Sequence, residues 1–129
     1  MQTSRPMLLL ITLLCTGQVV ADDCLEAATQ AKLNQCMAQA LQRENAAINQ
    51  TYARVQAGLS PERRQALRDV QRAWIRFRDL DCQYATAGSQ GGSAHAMALN
   101  QCLAEKTRQR NAELQAWLAC PEGDLACPR

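Results

Sequence analysis

Gln71 to Cys82 reads as one amphipathic helix that ends in a cysteine. A Gly-Gly-Ser stretch follows at 91–93, and Cys102 then opens another helical segment. A helix anchored by a cysteine, a flexible loop and a second anchored helix can close only into a small, stapled helical scaffold. Nothing in the stretch looks like a catalytic centre.

The two ends of the chain decide how many cysteines are available. Arg5 supplies a positive start, Met7 to Leu14 is apolar apart from Thr12, and Val19-Val20-Ala21 places small residues where a signal peptidase reads. The expectation is a signal peptide over 1–21 with cleavage after Ala21, and export to the periplasm or beyond. The apolar run is too short for a membrane span, so no membrane span is expected in the mature chain. Neither Leu14 before Cys15 nor Asp23 before Cys24 fits a lipoprotein site. Of seven cysteines, Cys15 leaves with the leader. Cys24, Cys36, Cys82, Cys102, Cys120 and Cys127 remain, an even set that reads as three disulfides in an exported chain. Six cysteines allow fifteen pairings. The separations favour local closure, Cys24 with Cys36, Cys82 with Cys102 and Cys120 with Cys127. A zinc site is the weaker reading, because no close Cys-x-x-Cys pair exists and His95 is the only histidine. No metal and no cofactor is expected.

Cleavage leaves 108 residues, 22–129, the size of one domain. Thirteen basic side chains then face twelve acidic ones. That balance argues against a nucleic-acid partner, which calls for a basic excess with interleaved aromatics. Arg63, Arg64, Arg68, Arg72, Arg76 and Arg78 do share one helix, and a solvated face paired with acids explains them better.

Three helices account for nearly all of the remainder. The first is expected from about Thr29, an N-cap, to Leu59, with Leu33, Met37, Ala40, Leu41, Ile48, Tyr52, Val55 and Leu59 on one face. Glu44 and Asn45 interrupt that face, and Gly58 is consistent with its end. Ser60 caps the second helix, with Pro61 at its first position and Glu62 on the positive end of the dipole. Leu67, Val70, Trp74, Phe77 and then Leu80 or Tyr84 form its apolar stripe, with Trp74 and Phe77 expected in the core. The third helix is expected from about His95 to Ala119, with Leu99, Leu103, Leu114, Trp117 and Leu118 near one face. Arg110 lies beside that face, where an ion pair with Asp79 or Asp81 is the expected arrangement. Ala85 to Ala94 has loop chemistry without the spacing or lysine of a phosphate loop. The tail 120–129 reads as a small cystine-bounded loop. The fold class is all-α, an antiparallel three-helix bundle stapled by disulfides. The short first connection makes helices one and two neighbours.

Catalytic constellations are weak. Ser89 and Ser93 lie near His95, but no third member is recognisable. Asp79 and Asp81 are two apart and face different ways. The chain reads as a non-enzyme, with a small hydrolase as the least favoured alternative.

Asp23-Cys24, Thr29-Gln30 and Asn34-Gln35-Cys36 resemble the opening of a bacterial family. So do Leu59-Ser60 leading into Gln71-Arg72-Ala73-Trp74-Ile75, then Arg78-Asp79 and Cys82. Gly91-Gly92-Ser93, Cys102, Thr107, Arg110 and Leu114 continue the match. Together these resemble the LprI-like lysozyme-inhibitor domain, formerly a domain of unknown function, over about Cys24 to Leu118. The resemblance implies an exported helical domain and lysozyme as partner. The matching Trp74, Arg78, Asp79 and Arg110 look structural. An inhibitor must occlude the cleft that holds lysozyme's two carboxylates or offer them donors. Ser89, Gln90, Gly91, Gly92, Ser93 and His95, tethered by Cys82 and Cys102, are the expected contact set. An interaction module for another envelope protein, without inhibition, is the alternative.

Overall fold

A computed structural model of the chain describes Cys24 and residues 26–128. The expected leader and its cleavage point lie outside the described residues. Three helices form, α1 (Gln30–Ala57), α2 (Pro61–Ala85) and α3 (His95–Leu118). No strand occurs among the described residues. Local chemistry sets the helix starts. Thr29 accepts from the Lys32 amide at 3.3 Å, and Ser60 accepts from the Arg63 amide at 3.3 Å. α1 ends without a left-handed cap: Gly58 has φ −88°, and its amide reaches back to the Val55 carbonyl at 3.2 Å. The conformational freedom of this glycine is unused.

The helices run up, down and up. Gln30 and Asn34 of α1 meet Met97 and Ser93 at the start of α3, while Ile48 and Val55 share a cluster with Leu114 near its end. α1 and α3 are therefore parallel. α2 opposes both, since Asp81 meets Lys106, Arg78 meets Thr107 and Gln71 meets Arg110. α1 packs mainly on α3, and α2 reaches α3 more sparsely. Small side chains such as Ala40, Thr51 and Ala104 are buried in α1 and α3, so those backbones approach closely. Bulky Trp74, Arg78 and Arg110 hold α2 further off. The expected close pairing of α1 with α2 is not among the main helix pairs.

The apolar core is concentrated at one end. Ile48, Val55, Leu67 and Leu114 are buried together, with Tyr52, Leu59, Trp74, Trp117 and Leu118 packed around them. The other end is stapled. Cys24 pairs with Cys36 and Cys82 with Cys102, each with Cα atoms 5.7 Å apart. Cys120 pairs with Cys127 in the tail. All three are the local closures favoured by the separations.

The stripe of α2 needs correcting. Leu67 is buried and Trp74 is half-buried against the core, but Val70 is 49% exposed, Phe77 57%, Leu80 56% and Tyr84 85%. Phe77 is not a core residue. The cause is the placement of α1, which leaves the far side of the α2 stripe largely uncovered, with Lys106 over the Phe77 ring and Val70 at the edge of a groove beside Trp117 and Pro128.

Arg110 also differs from expectation. It is buried, at 7% exposure, and its Nη1 pairs with Glu113 at 2.6 Å on its own helix. Asp79 is taken by Arg78 at 2.8 Å and Asp81 by Lys106 at 2.7 Å. The antiparallel register explains this: Arg110 lies opposite Gln71, between about two and three turns from the aspartates. Its Nε donates to Gln71 Oε1 at 3.3 Å, and its guanidinium stacks 4.8 Å from the Trp117 ring centre.

Candidate functional site

The connection between α2 and α3 lies at the stapled end, and Cys82–Cys102 closes its base. The loop is built from successive tight turns. Thr86 donates its hydroxyl to the Cys82 carbonyl at 2.7 Å and so finishes α2. A single 3₁₀ turn, Ala87–Ser89, follows. The Gly92 amide then reaches the Ser89 carbonyl at 3.0 Å, and the His95 amide reaches the Gly92 carbonyl at 3.2 Å. Gly91 sits at φ +81°, where any other residue is strained. A Cβ on Gly92 would lie 3.1 Å from the Ser89 carbonyl oxygen. These two glycines are therefore needed for the loop's shape.

Ser89 and His95 are half-buried and bound to each other, Oγ to Nδ1, at 2.9 Å. Ser89 Oγ also donates to the Thr86 carbonyl at 2.8 Å. A hydroxyl has one proton to give. With that proton on Thr86, Ser89 accepts from Nδ1–H of His95, and Nε2 carries the lone pair of the neutral ring. A serine engaged this way is not handing its proton to the histidine, which is the first requirement of a hydrolase nucleophile. The partner of His95 is Ser89, six residues back, and not the nearer Ser93. The arrangement supports a positioning role for both.

α1 fastens the loop from the side. Asn34 Nδ2 donates to the Ser93 carbonyl at 2.9 Å. Gln30 Nε2 donates to Asn34 Oδ1 at 3.0 Å and approaches Met97 Sδ at 3.7 Å. The loop is thus tied at its base by a cystine, inside by Ser89 and His95, and across by Asn34.

All six expected contact residues come together at this end, but they divide by role. Gln90, Gly91, Gly92 and Ser93 are exposed, while Ser89 and His95 serve the loop's interior. Asn34 and Gln30 were not expected as loop anchors. Tyr84 and Leu80, placed on the core stripe by periodicity, stand exposed in the last two turns of α2, next to the loop. The surface offered here is polar at the tip and apolar along the adjoining flank of α2.

The four residues read as structural lie between α2 and α3. Arg78 bonds Asp79 and Thr107 and lies 5.3 Å from the Trp74 ring centre. Lys106 sits 5.4 Å from the Phe77 ring centre. The one grouping of possible metal ligands among the described residues, Cys120, Asp124 and Cys127, contains the tail cystine. Sulfur in a disulfide is not a thiolate ligand.

A family model described as Lysozyme inhibitor LprI matches residues 21–114. The protein R02472 of Rhizobium meliloti (strain 1021) is 34% identical over 139 residues, covering 95% of this chain and 99% of its own. No solved structure gives a significant match. The tail cystine, Cys120–Cys127, lies beyond the part matched by the family model.

Proposed function

This chain belongs to the Lysozyme inhibitor LprI family, and on that premise we propose that it binds and blocks a lysozyme-type muramidase through the loop at the stapled end. The loop's existing order is the observation that carries the reading. A segment held by Cys82–Cys102, Asn34 and the Ser89–His95 pair has little freedom left to lose on docking. Lysozyme acts through two carboxylates in a cleft. The Gln90 amide and the Ser93 hydroxyl are exposed donors at the loop tip, beside the exposed Gly91 and Gly92. The protein works after export, released from its leader following Ala21, where the three cystines persist.

Steering contributes little, because the formal charge of the whole chain is only +2. Asp79 and Asp81, the acids nearest the loop on α2, are engaged by Arg78 and Lys106. Recognition rests on shape and neutral hydrogen bonds, so inhibition depends only weakly on salt.

The experiment is lysis of cell-wall substrate by several lysozyme classes, with and without the oxidised protein. Dose-dependent inhibition of at least one class is expected. A variant with residues 87–93 replaced by a Gly-Ser linker of equal length, Cys82 and Cys102 retained, should lose most of that inhibition. Undiminished inhibition by this variant would remove the loop from the mechanism. No inhibition of any class by folded protein would favour the second reading, an envelope interaction module. The exposed apolar face of α2 supports that reading, since it offers a protein-binding surface independent of the loop.

A further inference from the structure

The exposed face of α2 has a regular pattern. Ala66, Val70, Ala73, Phe77, Leu80 and Tyr84 alternate four and three residues apart, and all six are exposed. That spacing is the seam of a left-handed helix pair. The residues α2 uses for its own molecule, Leu67, Gln71, Trp74, Arg78 and Cys82, lie on the adjacent face. α2 therefore carries two seams, one covered by α3 and one exposed, on which Lys106 reaches only the Phe77 ring and Ala66 and Val70 border a groove with Trp117 and Pro128.

We propose that the open seam pairs with the same seam of a second copy, antiparallel, about a two-fold axis opposite Ile75. The order of side-chain sizes carries the choice of occupant. In this register Ala66 faces the second copy's Tyr84, Val70 faces its Leu80, and Ala73 faces its Phe77. Every layer sets a smaller residue against a larger one, so the layers fill at constant width. Parallel pairing would instead stack Ala66 on Ala66 and Tyr84 on Tyr84, leaving gaps beside overcrowded layers. The self-complementarity is what a two-fold interface requires.

Extent and charge set the strength. With Val70, Phe77, Leu80 and Tyr84 between 49% and 85% exposed, the seam offers on the order of 500 Å² per copy, or about 1,000 Å² per pair, the low end for a specific interface. The pair is a weak, concentration-dependent dimer. Asp69, Arg76 and Gln83 flank the seam on its exposed side. In the stated register Asp69 faces Gln83, while Arg76 meets its own copy beside the axis. Exposed like charges repel modestly and are screened by salt, so salt tightens the dimer.

Sedimentation equilibrium of the oxidised protein tests this. The average mass should rise from one chain toward two between about 10 µM and 1 mM, the range of a weak interface. Added salt should shift that rise to lower concentration. Phe77→Asp and Leu80→Asp change exposed positions and should each abolish the rise. A second measurement reads the register. Arg76→Cys should form a disulfide-linked dimer under mild oxidation, and Gln83→Cys should not. One-chain mass at every concentration overturns the proposal, as does a dimer that survives both aspartate variants. Cross-linking through Gln83→Cys overturns the stated arrangement, because position 83 would then lie beside its own copy and not beside Asp69. Cross-linking through neither overturns it as well.

Discussion

Asn34 on α1 donates to the backbone carbonyl of Ser93, 59 residues later, at 2.9 Å. This bond ties the loop at the head of α3 to a helix that is not its chain neighbour. It is exposed, so its net worth to stability is about 1 kcal/mol or less. Its effect on the loop is larger than that figure suggests, because few other ties reach across from α1.

Asn34→Ala should therefore separate loop order from global stability. The urea midpoint should fall slightly, and amide exchange at Gly91 to Ala94 should quicken by severalfold. Inhibition of a responsive lysozyme should weaken as the loop regains freedom. Unchanged exchange in the loop would show that the cystine and the Ser89–His95 pair suffice to hold it.

Arg110 invites the opposite kind of test. It is buried, and its Nη2 has no hydrogen-bond partner among the described residues, while Glu113, its ion-pair partner, has a side chain 57% exposed. An ion pair with one buried and one exposed partner adds little net stability, since desolvation of the guanidinium and solvent screening of the carboxylate offset the attraction. Arg110→Met keeps the packing against Trp117 and frees Glu113 to turn to water. Its unfolding free energy should lie within about 1 kcal/mol of the parent, in either direction. Arg110→Ala loses the stem as well as the ring contact and should cost about 1–2 kcal/mol. Leu114→Ala, at the fully buried centre of the core, should cost more, about 3 kcal/mol. Urea unfolding of the three variants gives the order. An Arg110→Met loss as large as that of Leu114→Ala would mean that the guanidinium is held by more than Glu113 and Gln71.

Local chemistry was readable where it acts on near neighbours. Thr29, Ser60 and Pro61 mark the helix starts because a cap bonds only three residues away. The three cystine pairings follow from short separations in the same way. The α2 stripe was readable only in part. Periodicity shows that Trp74 and Phe77 are both apolar and close in angle, but not how much of that arc a neighbour covers. Small residues bring α1 onto α3, and this decides that Trp74 is covered while Phe77 is not. The contact loop was visible as a glycine-rich stretch. Its fastening was not, because nothing local to Gln30 or Asn34 says that they reach Met97 and Ser93. The ion-pair partner of Arg110, Glu113, lies three residues on in the same helix and is displayed by the sequence; its contact with Gln71 depended on helix register, which one dimension does not display.

Glu62 gives a pH dependence with a definite sign. Its own backbone amide, then the Ser60 hydroxyl, hold its carboxyl below the ordinary value of 4.5. A carboxyl with a depressed folded-state pKa contributes stability above the unfolded pKa and loses it as pH falls through the folded value. The wild type should therefore be more stable than Glu62→Gln at neutral pH, and the difference should shrink as pH falls through and below the ordinary carboxylate range. The group is exposed, so the difference is small and needs paired thermal melts at several pH values. A difference that grows toward acid would reverse the assignment.

The separation of the apolar core from two of the cystines sets a last test. Leu114, Ile48, Val55 and Leu67 hold one end, and Cys24–Cys36 and Cys82–Cys102 hold the other. Removing Cys82–Cys102, by Cys82→Ala with Cys102→Ala, frees a loop with a sequence separation of 20 residues. In the chain-entropy view that costs about 3 kcal/mol. The stapled end should in addition open locally, while the core end keeps every contact it had. Native-state amide exchange should show the first turns of α3, from His95 to Gln101, opening at much lower free energy. The turn around Leu114 should continue to exchange only through global unfolding. A uniform change along α3 would mean that the two ends unfold as one unit, and that the cystine supports the core as directly as it supports the loop.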